Sequence, residues 1–184
     1  MRVIAGKAKG RRLKAPTIGT RPMADSMREA VFAALGDLEG LRVLDLYAGS
    51  GSLGLEALSR GAVDATFVEN AREAILKLQQ NLEGTGLAEQ ARVEWGDVGS
   101  HLSHPAQDRV DLIFLDPPYS MPSTAAQANL EAIVTNGYLS DDGRVVVHRP
   151  GKESPLRPLG LVVAWEREFG QSQIYVFVHE QEPE

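Results

Sequence analysis

The chain has 184 residues, 43% of them hydrophobic and 24% charged, with no cysteine and a formal net charge of −6. That length suits one domain with a substantial core, and a chain without thiols has no disulfides, zinc-thiolate sites or cysteine nucleophiles. No apolar run approaches the roughly 20 residues of a membrane span, and the basic start from Met1 to Lys7 interrupts any signal-peptide core, so no membrane partner and a cytoplasmic location are expected.

The charge is unevenly spread. Residues 1 to 28 hold eight basic side chains against the single acid Asp25, a surplus of seven, and the rest of the chain carries an excess of thirteen negative charges. A basic arm on an acidic body predicts attraction to a polyanion at one place. Within the arm, short strands are expected near 2–5 and 11–14. Ser26-Met27-Arg28-Glu29 has capping-box spacing, and Met27, Ala30, Val31, Ala34 and Leu35 repeat at helical intervals up to Gly36. Residues 1–40 thus read as a basic hairpin and helix extension.

From residue 41 to 184, strand and helix signals alternate. Strands are predicted at 42–47, 65–69, 91–95, 111–115 and 143–148, each apolar enough to be covered on both faces. Asn70-Ala71-Arg72-Glu73 reads as a second helix cap ahead of Ile75, Leu78 and Leu82, and 124–135 as a further helix. The segments 161–168 and 172–179, joined through Gly170, predict an antiparallel hairpin. The expected fold is therefore α/β, a doubly wound and mostly parallel sheet closed by that hairpin.

In VLDLYAGSGSLGLEAL, the first strand runs into Gly49-Ser50-Gly51-Ser52-Leu53-Gly54, a GxGxxG turn that opens a helix. Glu69, 20 residues beyond Gly49 at the end of the next strand, is placed to accept hydrogen bonds from ribose hydroxyls. These features suit a nicotinamide dinucleotide as well as other nucleotides. Asp45, near the end of the first strand, favours a cationic ligand reached directly or through hydrogen bonds, because a buried unpaired anion is expensive. S-adenosylmethionine, with an ammonium and a sulfonium, meets that need. Asp97 either receives an adenine amino group or caps a helix.

FLDPPYS raises a separate question. Pro117 and Pro118 must end the strand, since neither can donate to a ladder, and the stop holds a rigid polar corner. If the fourth strand neighbours the first, Asp116 lies beside the glycine loop. There the Asp116 carboxylate and the Pro117 carbonyl can each accept one hydrogen of an exocyclic amino group, keeping its lone pair directed at an electrophilic methyl. Tyr119 can stack on the base.

The segments MRVIAGKAKGRRLKAP, TRPMADSMREAVFAAL, VLDLYAGSGSLGLEALSRGA, FVEN and IFLDPPY together resemble the RsmD family of bacterial 16S ribosomal RNA guanine-N2 methyltransferases. Met23 and DSMRE depart from the family's usual pattern of threonine, then acid, arginine and valine. The resemblance implies a Rossmann-like class I methyltransferase sheet, S-adenosyl-L-methionine as cofactor, and 16S RNA in an assembled or assembling small subunit as partner. It also implies three residue sets. The catalytic corner is Asp116, Pro117, Pro118 and Tyr119. The cofactor set is Asp45, Tyr47, Ala48, Gly49, Ser50, Gly51, Glu69, Asn70, Asp97, Val98 and Asp116. The nucleic-acid set is Lys7, Lys9, Arg11, Arg12, Lys14, Arg21 and Arg28. A DNA adenine-N6 or cytosine-N4 methyltransferase, a nicotinamide oxidoreductase and a non-catalytic RNA-binding factor stand as alternatives.

His101 and His104 have three-residue spacing but no adjacent acid or third histidine, so no metal is expected. His148 and His179 stand alone and receive no role, and VVVHRPGKE has no functional assignment. A monomer is expected.

Overall fold

The computed structural model describes residues 1–17 and 22–181. Its elements run α1 (Asp25–Leu35), β1 (Arg42–Leu46), α2 (Ser52–Ser59), β2 (Asp64–Glu69), α3 (Arg72–Thr85), β3 (Ala91–Trp95), α4 (Val98–Leu102), β4 (Val110–Leu115), α5 (Ser123–Thr135), β5 (Leu139–Pro150), β6 (Leu161–Phe169) and β7 (Ser172–His179), with one 3₁₀ turn at Ala88–Gln90. Seven strands form one sheet in the order β3-β2-β1-β4-β5-β7-β6. The first five are parallel; β7 runs antiparallel to both β5 and β6. The expected fold is observed, with β5 starting four residues earlier than its apolar run suggests, across a register break opposite Val110 and Leu112.

Alternation along the central strands builds two cores. Val43, Leu112, Phe114, Val146, Ile174 and Val176 face one, with α1, α2 and α3; Leu44, Leu46, Ile113, Leu115, Val145, Val147 and Phe177 face the other, with α4 and α5. Successive side chains of a strand point to opposite faces, so a near-continuous apolar strand must be covered on both. The strand order reverses between β1 and β4, which opens a crevice beyond their carboxyl ends. Among the described residues no helix is long and apolar enough to cross a membrane.

The basic arm is tied to this core. Arg2 and Arg12 form a single antiparallel bridge, flanked by Val3 N–H to Arg11 O (2.9 Å) and Gly10 N–H to Val3 O (2.9 Å), so the two expected strands are reduced to one bridge. Val3, Ala8, Leu13 and Met23 join the same apolar cluster as α1 and α2; the departure at Met23 is thus a core position. Glu56, fully buried on α2, accepts the amides of Ile4 (2.8 Å) and Ala5 (3.0 Å), and Asn81 on α3 clasps the Lys14 backbone from both sides at 2.8 Å.

Two local expectations are corrected. Helix α1 starts at Asp25 behind Ala24, without a side-chain cap, and α3 starts behind Ala71, also without one. Just ahead of α3, Glu69 Oε1 at the end of β2 accepts the amides of Asn70 (2.9 Å) and Ala71 (2.8 Å) and so fixes the chain entering the helix.

Candidate active site

A cleft of about 690 Å³ lies beyond the ends of β1 and β4, lined on one side by Tyr47, Ala48, Gly49, Ser50 and Ser52 and on the other by Asp116, Pro117, Pro118, Tyr119 and Met121. Glu69, Asn70, Ala71 and Asp97 complete one end, and Pro16 and Pro22 of the arm reach its mouth. The glycine loop and the DPPY corner therefore share one cavity, of a size suited to a cofactor-scale ligand.

The loop wall is shaped largely by close backbone approach. Gly51 and Gly54 are required for different steric reasons: a Cβ on Gly51, which sits at φ +83°, would lie 2.3 Å from Leu78 Cδ1, and one on Gly54 would lie 2.4 Å from Phe67 Cε1. The first would block the turn, the second the seating of α2 on the sheet. Tyr47 holds φ +58°, a left-handed conformation costly for a residue with a Cβ. Its hydroxyl accepts a hydrogen bond from Asn129 Nδ2 (2.7 Å) and donates towards Met121 Sδ (3.7 Å), and burial raises its pKa.

Glu69 Oε2 accepts the Gly49 amide (2.8 Å), so with Asn70 and Ala71 one carboxylate organises three backbone N–H groups at the loop and the α3 entrance. A carboxylate offers about four lone-pair sites, leaving one on Oε2 for a hydroxyl. Asp97 is exposed, caps α4 through Ser100 N–H (2.8 Å) and lines the cleft.

Three members of the cofactor set, Asp45, Gly51 and Val98, do not line the cleft. Asp45 is 1% exposed and lies beneath the loop, with Oδ2 accepting the Gly54 amide at 2.9 Å; it is not a lining residue. Burial pushes its pKa well up, the Gly54 hydrogen bond opposes this, and the Asp116 and Glu69 charges add to the rise. Val98 is likewise buried, in the core under α4, and does not line the cleft.

The corner wall depends on distant side chains. Asp116 Oδ1 meets His148 Nδ1 at 2.9 Å, and His148 Nε2 meets the Tyr119 hydroxyl at 3.0 Å, which also reaches Ser172 Oγ at 2.6 Å. The Tyr119 and His148 rings stand edge to face. Arg149, 1% exposed, donates to the carbonyls of Pro118 (3.4 Å) and Met121, and pairs with Glu153 through two hydrogen bonds of 2.9 and 2.7 Å. The segment VVVHRPGKE, which carries no readable motif, therefore supplies the back of the corner. Its one sequence signal is the apolar run before His148, which marks a strand and leaves open which strand it lies beside.

Asp116 Oδ2 and the Pro117 carbonyl receive no protein hydrogen bond among the described residues. Two acceptors of fixed position can bind the two hydrogens of a planar amino group.

Of the nucleic-acid set, Lys7, Lys9, Arg11, Arg12 and Lys14 are exposed on the arm, and Arg21 lies outside the described residues. Arg28 is corrected: its side chain is fully buried, pairs with Asp25 (2.9 Å) and Glu56 (3.7 Å), and has no access to a phosphate. The partner that buries it, Glu56, is 28 residues away, beyond the reach of local charge counting.

Residues 1–178 match the family model described as Conserved hypothetical protein 95. The chain is 37% identical to Ribosomal RNA small subunit methyltransferase D of Escherichia coli K12, over 80% of this chain and 73% of that one. It is 35% identical to the protein of the same name in Haemophilus influenzae, over 85% and 81%. Among solved structures, yhhF of Escherichia coli superposes with a TM-score of 0.87 at 32% identity, covering 99% of each chain. A hypothetical protein of Thermus thermophilus superposes with a TM-score of 0.82 at 34% identity, covering 98% and 99%. This chain belongs to the Conserved hypothetical protein 95 family, which is the RsmD family that its motifs resemble.

Proposed function

We propose that this protein transfers a methyl group from S-adenosylmethionine to the exocyclic 2-amino group of a guanine in small-subunit ribosomal RNA, acting as a monomer on an assembled or assembling particle. Such an enzyme works where ribosomes are built, so we place it in the cytoplasm. The observation that carries the reading is the shared cleft, with the free acceptors Asp116 Oδ2 and Pro117 O on one wall and the glycine loop on the other. Relatives named Ribosomal RNA small subunit methyltransferase D support the RNA class.

The lining fits the cofactor. Three carboxylates, Glu69, Asp97 and Asp116, face the cleft, and no Lys, Arg or His lines it among the described residues. That field favours a ligand with ammonium and sulfonium charges and opposes a pyrophosphate, which weighs against a nicotinamide dinucleotide. Glu69 Oε2 would hold a ribose hydroxyl, Asp97 the adenine end, and the backbone of Tyr47 to Ser50 the amino-acid portion. When bound, S-adenosylmethionine supplies a methyl carbon made electrophilic by its sulfonium.

The corner residues do the positioning. Asp116 Oδ2 and Pro117 O each accept one amino hydrogen and hold the nitrogen lone pair towards the loop wall, an orientation effect and an electrostatic one. Pro117 and Pro118 keep those acceptors from moving. Tyr119 offers its ring to the base; such stacking is worth about 1–3 kcal/mol and offsets part of the few kcal/mol needed to extrude a base. Asp116 Oδ2 then takes the proton that the substituted nitrogen must lose. Outside the cleft, the exposed arm residues Lys7, Lys9, Arg11, Arg12 and Lys14 grip phosphates and set register without reading sequence, and Pro16 and Pro22 lead from the arm to the cleft mouth.

Labelled methyl transfer tests the reading. Small-subunit particles lacking the modification, bare 16S RNA and duplex DNA are offered in parallel. Label is expected on the particles; label on DNA alone would point instead to the DNA amino methyltransferase.

A further inference from the structure

His148 is 2% exposed, and both ring nitrogens have partners from other parts of the chain. Strand pairing places it there: Leu115 of β4 is paired with Val147 of β5, so Asp116 and His148 follow side by side, and β7 brings Ser172 opposite Pro150. The result is an unbroken line from Ser172 Oγ to Tyr119 Oη, His148 Nε2, His148 Nδ1 and Asp116 Oδ1, at 2.6, 3.0 and 2.9 Å for the successive hydrogen bonds.

Donor and acceptor counting fixes the direction of that line. An ionised carboxylate only accepts, so the nitrogen 2.9 Å from Asp116 must carry a proton. In the neutral ring Nε2 is then an acceptor, the Tyr119 hydroxyl must donate to it, and the Ser172 hydroxyl must donate to Tyr119. Each link has one proton and one acceptor.

We infer that His148 is a positioning residue for the transfer reaction: held as the Nδ1–H tautomer, it engages Asp116 Oδ1, leaves Oδ2 for the substrate amino group, and fixes Tyr119 in the same cleft. One buried ring thereby ties the amino acceptor and the aromatic platform to a common support. This rests on the amino-methylating reading above and extends it to a residue that touches neither substrate nor cofactor.

Two substitutions separate positioning from packing. In His148→Asn the side-chain amide can reproduce the Nδ1 donor to Asp116; in His148→Gln it falls nearer the Nε2 position and that donor is lost. A misplaced catalytic group costs on the order of 10²-fold in rate. His148→Gln should therefore lose about that much in kcat with cofactor Kd unchanged, and His148→Asn should recover most of the loss. Tyr119→Phe reports on the outer link. Equal losses in both His148 variants that follow their melting temperatures would overturn the inference, because they would mark a packing role.

A second readout needs no turnover. With four histidines in the chain, long-range ¹⁵N imidazole spectra of the wild type, assigned by difference with His148→Asn, should show Nδ1–H at His148, retained in Tyr119→Phe. An Nε2–H tautomer would overturn the proton order even if His148→Gln fails to fold. A wild type with this tautomer but no transfer to any particle would leave the network standing and sink the proposed function instead.

Discussion

The two walls of the cleft are built by different means. On the loop wall, residues 47 to 54 are shaped by close backbone approach, by Glu69 gathering three amides and by Asp45 holding the Gly54 amide, all within about one β-α-β unit. On the corner wall, residues 116 to 119 are braced by side chains 29 to 53 positions further on, His148, Arg149 and Ser172. On the proposed function, the loop wall is a local device for seating a cofactor, and the corner is a long-range device for holding a nitrogen still. If that division is real, substitutions on the two walls should move different quantities.

The largest separation is expected at Asp116. Asp116→Ala should lower single-turnover transfer by about 10³-fold, as removal of one preorganised polar group does, with cofactor affinity by titration calorimetry held within about 2-fold. Retained turnover would break the comparison. Glu69→Ala should do the reverse. Its three amides lose a shared acceptor, at about 1–3 kcal/mol for a buried unsatisfied group, so cofactor Kd should rise by about 10- to 100-fold, with kcat at saturating cofactor much less affected.

Gly54→Val should cost about 1–3 kcal/mol of stability by overpacking against Phe67, read from urea unfolding, and should weaken cofactor binding because α2 can no longer seat. Asp45 gives a test with a definite sign. Its folded pKa is raised, so the native state holds the proton more tightly than the unfolded chain does. Its stability contribution is full below the ordinary carboxylate range and is lost as pH climbs through the raised value. Asp45→Asn keeps an acceptor for the Gly54 amide and removes that decline. Melting temperatures of wild type and variant should diverge in the variant's favour as pH rises from about 4 to about 8, and parallel curves would contradict the assignment.

The smallest effect belongs to the arm. Arg11→Ala or Arg12→Ala should flatten the log-log salt dependence of RNA affinity by about 0.7–0.9 for each phosphate no longer neutralised, without changing kcat at saturating RNA. An unaltered slope in both would remove the arm from the RNA interface.

What could be read from the sequence follows the same division. The alternating elements, the glycine turn, the acid at Glu69 and the placement of Asp116 beside the loop were legible, because each is a short-range pattern or follows from ordinary strand order. Buried polar partnerships were not. Arg28 has the look of an exposed cation until Glu56 on another helix is seen to bury it, and the lone His148 gains a partner only when β4 and β5 lie side by side. Helix caps failed for a related reason. Ahead of α3 the Asn70 and Ala71 amides are taken by Glu69 from the strand before, so the helix entrance is fixed by a residue outside the spacing that a capping box reads.

Identity of the methylated atom tests the corner most directly. RNA from small-subunit particles treated with the wild type and labelled cofactor can be digested to nucleosides and resolved by mass spectrometry. A paired acceptor set that grips an amino group predicts all new label on an exocyclic amino nitrogen, and the proposed guanine target puts it in N2-methylguanosine. Label on a ring carbon, a ring nitrogen or a ribose oxygen would contradict it, because none of those atoms presents two hydrogens to Asp116 and Pro117.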